Sequence, residues 1–293
     1  MVFVHAHPDD ESITTGATMA FYAAQGVRVT LITCTLGEEG EILVPELAQL
    51  EAAQADQLGG LRIGELARAM QALGVTDHRF LGGAGHFRDS GMMGSPANEH
   101  PRAFWRADSH PDVFATAVAA AVDVLREVRP QVVVTYDDNG DYGHPDHIMA
   151  HRVATAATMV AADPSRGRGK PWTVSKLYWT GTPTSVLERG YEVMSARADL
   201  PFDLVSVKDL PFGVPDELVT TVIDASAFVV AKTAALSAHR SQVVVDAPFF
   251  ALSNRIGREI TGVEYFRLAR GRFPDDGRDA DGRERDLFAG IAS

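Results

Sequence analysis

An α/β fold, a parallel sheet with helices on both faces, is predicted by three features of this 293-residue sequence. Strand-like and helix-like segments alternate through the first half of the chain, the pattern of a doubly wound parallel sheet. The strands are short, apolar and rich in β-branched residues, as buried strands are. His-Pro-Asp occurs twice, as His7-Pro8-Asp9-Asp10 and His144-Pro145-Asp146-His147, in the loops that follow the first and fourth strands. In the common strand order 3-2-1-4 those two strands are neighbours at the switch point, where a crevice opens beyond their carboxyl ends. The expectation is a Rossmann-like sheet with its site at the carboxyl ends of the first and fourth strands, plus a smaller C-terminal α/β portion.

Val2–His5 reads as the first strand, followed by the first motif. Gly16–Gln25 reads as a helix closed by Gly26. Val27–Cys34 is the second strand, and the acidic loop Leu36-Gly37-Glu38-Glu39-Gly40-Glu41 follows. Residues 46–73 have helical periodicity in two pieces, broken at Gly59-Gly60. Arg79–Leu81 is a short third strand. Residues 84–110 form an irregular excursion, long enough to point to function. Asp112–Val128 is a helix stopped by Pro130, Gln131–Tyr136 the fourth strand, and His147 to Ala162 the helix after the second motif.

Beyond a polar loop at 163–175, Lys176–Thr180 and Thr220–Ile223 read as strands and Ala225–Ala238 as a helix carrying Lys232, with His239 at its end. Gly271–Asp286 reads as a solvated, charged segment. The expected division is a catalytic core at 1–162, a completing portion at 163–270 and a polar tail at 271–293.

Hydrophobic residues make up 45% and charged residues 23%, as in a globular enzyme. A net charge of −12 argues against nucleic acid or an anionic membrane as the main partner. The single cysteine, Cys34, sits in an apolar strand, which points to a core residue and a reducing cytoplasm. No apolar stretch approaches the ~20 residues of a membrane span, and no secretory signal is legible. The first strand begins so close to Met1 that there is room for a short leader ahead of it.

Two imidazoles and a carboxylate can hold a divalent metal with a position open for water. His7 and Asp10 from the first loop and His147 from the second form such a set. Asp9 is then left as a base for the water. Asp146 beside His144 suggests an acid–imidazole pair that favours a charged ring, able to stabilise an oxyanion or protonate a leaving nitrogen. Tyr142 can offer its hydroxyl to the same oxyanion. These parts fit metal-assisted hydrolysis of an amide or ester. His5 reads as core. His151, one helical turn after His147, is a weaker ligand candidate. His78, His86, His100 and His110 read as solvated loop residues.

The motifs Ala6-His7-Pro8-Asp9-Asp10-Glu11 and Tyr142-Gly143-His144-Pro145-Asp146-His147 resemble those of the LmbE-like, PIG-L-type zinc deacetylases of N-acetylglucosaminyl conjugates. Thr33–Glu41, Asp56–Gly60, Arg62–Leu66 and Arg88–Met92 resemble the actinobacterial mycothiol-pathway branch. The resemblance covers most of residues 1–160, resumes near Lys232–Gln242 and is weak across 181–220. It implies zinc, with iron(II) as the alternative, on His7, Asp10 and His147, with Asp9 as general base and His144 and Tyr142 at the oxyanion. It further implies that Arg62 and Asp89, with Glu41 and Met92, hold a small glycoside, N-acetylglucosaminyl-inositol, whose acetyl group is removed. The related mycothiol S-conjugate amidase carries a Lys where this chain has Thr14, a departure that favours the deacetylase.

Two rivals from other classes are a non-haem iron(II) oxygenase, which also uses two histidines and a carboxylate, and a non-catalytic sugar-binding module. The first is usually a β-rich barrel, unlike this alternation. The second would not need Asp9.

Overall fold

Residues Val2–His5 (β1) and Val132–Thr135 (β4) lie side by side and parallel, with Val2 opposite Val133 and Phe3 opposite Val134. Both His-Pro-Asp loops therefore leave the same end of one sheet, at the carboxyl ends of its strands. The computed structural model describes residues 1–274 and 278–291. Thr30–Thr33 (β2) pairs with β1, Asp77–Phe80 (β3) with β2, and Lys176–Thr180 (β5) with β4, all parallel. Thr221–Asp224 (β6) and Val263–Arg270 (β10) complete a seven-stranded sheet in the order β3-β2-β1-β4-β5-β10-β6, with β10 antiparallel to both neighbours. The expected 3-2-1-4 order is present.

Alternate side chains of the central strands feed two cores. Val2, Val4 and Val133 face one side, packing against Pro111–Val128 (α4) and Pro145–Ala162 (α6). Phe3, Leu31, Val132 and Val134 face the other, against Gly16–Ala24 (α2), Leu58–Leu73 (α3) and Val229–Ala238 (α8). Cys34 is in the first of these cores, its thiol pushed up by burial, so it is an inert core residue. The short helices Asp10–Thr14 (α1) and Gly140–Gly143 (α5) follow β1 and β4.

Several elements differ from expectation. Residues 46–73 do not break at Gly59-Gly60. A 3₁₀ turn at Pro45–Leu50 precedes α3, which runs through both glycines. Gly59 is there for closeness: a Cβ on it would meet Glu38 Cγ at 2.9 Å and Leu36 Cβ at 3.0 Å. The third strand starts two residues earlier than expected and includes His78, which is no loop residue. As an edge strand it tolerates polar residues, and Asp77 pairs with Arg79 Nε at 2.7 Å.

Thr184–Ser195 (α7) and the small antiparallel sheet of Val244–Asp246 (β7), Phe249–Ala251 (β8) and Arg258–Glu259 (β9) were not expected. The described part of 271–293 is no solvated tail. Glu284 is fully buried, accepting hydrogen bonds from Tyr178 Oη at 2.7 Å and Thr221 Oγ1 at 2.7 Å and pairing with buried Lys176. A buried lysine supplies the counter-charge that draws this acid in. Residues 275–277 and 292–293 of that segment lie outside the described residues. Among the described residues no helix is long and apolar enough to cross a membrane.

Candidate metal and hydrolytic site

Asp10, at the start of α1, carries the first contact between the two loops. Its Oδ2 accepts the backbone N–H of His7 at 2.8 Å, and lies 3.3 Å from His7 Nδ1 and 3.4 Å from His147 Nε2. Of the three residues singled out as ligands, His7 and His147 thus meet at one carboxylate oxygen of the third, Asp10. All are buried. Burial alone would raise the Asp10 carboxyl, but His147 and His7 outweigh it and hold it well below the usual range.

The fit to a cation rests on His147. Both of its ring nitrogens are buried and have no hydrogen-bond partner among the described residues. A buried imidazole is costly to leave unsatisfied, and burial lowers it to about 4, so it stands as a neutral donor of electron pairs. Its ring is stacked on Tyr136, centroids 4.2 Å apart at 22°. Tyr136 in turn accepts the Ala6 N–H at 2.9 Å, tying β4 to the first loop. His7, His144 and His147 offer nitrogens within 4.8 Å of one another, and so do the ligand atoms of His7, Asp89 and Asp146.

His7 belongs to both groupings because each of its ring nitrogens has its own carboxylate. Nδ1 faces Asp10. Nε2 is 3.3 Å from Asp146 Oδ2 and 3.5 Å from Asp89 Oδ1. Burial works against a charged His7, but the surrounding Asp89, Asp10 and Asp146 raise it well above its ordinary value. Asp146 is held in turn by the Ser90 N–H at 2.9 Å. This corrects the expected Asp146–His144 pair. The Asp146 carboxylate serves His7, and only its backbone N–H reaches His144, donating to Nδ1 at 3.1 Å as the cap of α6. His144 is not held charged. Burial, with His7 and His147 close by, lowers it to about 2. With Nδ1 accepting, the neutral ring carries its proton on Nε2.

Asp9 has φ 124° and ψ −34°, a strained backbone for a residue with a side chain. Its Oδ2 is 3.0 Å from Arg62 Nη2. Burial pushes this carboxyl up to about 6, against the pull of Arg62. Arg62, expected to hold the substrate, thus lies beside the expected base. It also donates to the carbonyls of Gly37, at 2.7 Å, and Pro8. Gly37 makes this possible, since at φ 67° a Cβ on it would lie 2.0 Å from Arg62 Nη1.

Asp89 is buried beside His7, and its Oδ2 accepts the Glu39 N–H at 3.2 Å. Burial would raise it, but His7 holds it far below the usual range. Tyr142 flanks the cluster, its ring centroid 5.0 Å from that of His147. Thr14 is half-buried, and its hydroxyl donates to the Asp10 carbonyl at 2.9 Å. Glu41 is exposed and Met92 is 54% exposed, so neither is drawn into the cluster. His151 hydrogen-bonds through Nδ1 with the Tyr136 carbonyl at 3.0 Å. His5 is a core residue, bonded to Thr15 and Tyr136.

Sequence reasoning missed the support beneath Asp9. Glu11 Oε2 accepts the Asp9 N–H at 2.9 Å, and Glu11 Oε1 is 2.8 Å from His239 Nε2, all three residues being buried. The polar run Asp9-Asp10-Glu11 in an otherwise buried segment was the available signal.

Comparison with known proteins places the chain in a family. The family model described as GlcNAc-PI de-N-acetylase matches residues 2–158. The 1D-myo-inositol 2-acetamido-2-deoxy-alpha-D-glucopyranoside deacetylase of Geodermatophilus obscurus is 60% identical over 295 residues, covering 99% of this chain and 97% of that one. Among solved structures, the N,N'-diacetylchitobiose deacetylase from Pyrococcus horikoshii aligns with TM-score 0.56 at 17% identity, covering 91% of this chain and 82% of that one. The 4-carboxy-2-hydroxymuconate hydratase from Pseudomonas putida aligns with TM-score 0.58 at 17% identity, covering 94% and 98%. A deacetylase and a hydratase share this fold, so the fold alone does not set the reaction. With more than half of its length matched by the family model and a full-length relative at 60% identity, the chain belongs to the GlcNAc-PI de-N-acetylase (PIG-L) family.

Proposed function

We propose that the protein removes the N-acetyl group of 1D-myo-inositol 2-acetamido-2-deoxy-alpha-D-glucopyranoside, releasing acetate and the free amine, the step expected of mycothiol synthesis. The observation that carries this is the buried His7–Asp10–His147 set with Asp9 alongside, in a chain whose relatives at 54% to 61% identity bear that substrate in their names. A reducing cytoplasm suits a chain whose one cysteine is a buried core residue.

His7 Nδ1, Asp10 Oδ2 and His147 Nε2 would hold zinc. When bound there it supplies a Lewis acid for the amide carbonyl and a water of lowered pKa. Everything else falls to the chain's own groups. Asp9 takes a proton from the attacking water, and its burial makes it a stronger base than an exposed carboxylate. Arg62 fixes the direction of that carboxylate. The His144 Nε2–H and the Tyr142 hydroxyl are the donors for negative charge developing on the amide oxygen. Asp9 then returns its proton to the departing amine, so the two steps balance. Asp146 acts through His7, whose Nε2 it holds so that Nδ1 is the free ligand nitrogen.

The test is to strip the purified protein with a chelator, restore zinc, and follow free amine and acetate from the inositol glycoside by mass spectrometry. Metal-dependent appearance of both products in equal amounts supports the reading. Products that form at the same rate without any metal contradict it.

A further inference from the structure

A cavity of about 290 Å³ opens beside the site, between α7, β9 and β10. Two of its wall residues belong to the site's own loops: Thr14, at the end of the helix begun by Asp10, and Asp141, next to Tyr142. Arg258 reaches into it. Its guanidinium lies 4.6 Å from the Phe212 ring centroid and 5.4 Å from that of Phe250, held by aromatic faces. Among the described residues it has no hydrogen bond and no carboxylate within 4.0 Å. Among the described residues the buried cations are engaged, Lys232 with Glu264 at 2.7 Å, Lys176 with Glu284, Arg62 with Asp9, Arg88 with Glu39, and Arg126 with the Ala161 and Asp163 carbonyls.

Asp141 shows the complementary feature. Among the described residues its carboxylate accepts no hydrogen bond, although burial pushes it up to about 6. Its backbone is held at φ 67° and ψ −71°, a conformation that persists in side-chain-bearing residues where the surroundings enforce it. After burial, the largest influence on Asp141 is the charge of Arg258, and the largest on Arg258 is that of Asp141. The Arg258 guanidinium thus offers only donors and the Asp141 carboxylate only acceptors, and among the described residues no ion pair joins the two. A hydroxyl group can accept from a guanidinium and donate to a carboxylate at once, so a ring of hydroxyls satisfies both.

We propose that Arg258 and Asp141 grip the hydroxyls of the ring beyond the glycosidic bond, the inositol, which makes Arg258 a specificity-determining residue for the polyol half of the substrate. This rests on the functional reading above. It places one half of aglycone recognition, Arg258, in the C-terminal portion and the other, Asp141, in the loop that carries Tyr142.

The experiment measures kcat and KM for the inositol glycoside and for methyl 2-acetamido-2-deoxy-α-D-glucopyranoside, which keeps the sugar and lacks the polyol. Wild type is compared with Arg258→Met, Arg258→Lys and Asp141→Asn. In Arg258→Met the KM for the inositol glycoside should rise about tenfold or more with kcat little changed, the size of a lost charge-assisted hydrogen bond. The loss should be at least about fivefold greater than on the methyl glycoside. Arg258→Lys should recover part of it, and Asp141→Asn should shift the same ratio in the same direction. Equal losses on both glycosides, or an unchanged ratio, would overturn the inference. So would a wild-type enzyme with the same KM for both substrates, although the functional reading would then stand. Wild type inert on both glycosides overturns the functional reading and the inference with it.

Discussion

Arg62 Nη2 lies 3.0 Å from Asp9 Oδ2 and also donates to the Pro8 carbonyl, while Nη1 donates to the Gly37 carbonyl. Arg62 therefore tunes the base. Burial pushes Asp9 up to about 6 while Arg62 pulls it down. A base works deprotonated, so kcat/KM should rise with pH as Asp9 loses its proton and then level off. In Arg62→Met the downward pull is gone, and this acid limb should move to higher pH by about one unit or more. A raised KM with the limb unmoved would return Arg62 to the role of a sugar contact.

His7 and His147 should each be required for stoichiometric metal. With one of three ligands missing, the remaining pair holds zinc too weakly to survive dilution. Elemental analysis of His7→Ala and His147→Ala after gel filtration is the check. One full equivalent of metal in either variant would remove that residue from the ligand set.

Asp146 should act on affinity through His7. Its Oδ2 holds His7 Nε2 at 3.3 Å and is itself fixed by the Ser90 N–H. Asp146→Ala should weaken zinc about 10- to 100-fold in competition with a chelator, the usual cost of losing such a partner. Unchanged affinity with a changed His144 titration would restore the pairing first expected from the sequence.

Glu284 should matter for stability. It closes a buried set with Lys176, Tyr178 and Thr221. Glu284→Ala leaves the Lys176 charge buried without its counter-ion and should cost about 3–5 kcal/mol in denaturant unfolding. A loss under about 1 kcal/mol, the range of a surface pair, would mean that the segment is only loosely attached.

The sheet order and the meeting of the two loops were legible because apolar, β-branched strands and Pro-fixed histidines are local signals. Where the sequence reading stopped, the governing contact was remote. β10 alternates Glu264, Phe266 and Leu268 with Val263, Tyr265 and Arg267, and only its place between β5 and β6 explains why both faces tolerate such residues. Glu284 reads as a solvated acid until Lys176, more than a hundred residues away, is placed against it. Asp146 stands two residues from His144 in sequence, yet its carboxylate turns to His7 in the other loop. In the site, residue types predicted the chemistry, but the division of labour among four acids needed the geometry.

Asp9 gives the most direct test of the whole account. In Asp9→Asn the amide cannot accept the water's proton, while Asp10, His7 and His147 are left intact. Metal content and turnover of the inositol glycoside should be measured on the same preparation. The account predicts a full equivalent of metal with turnover reduced about 10²- to 10⁴-fold, the contribution of a positioned general base. Wild-type turnover in a fully loaded Asp9→Asn protein would contradict it.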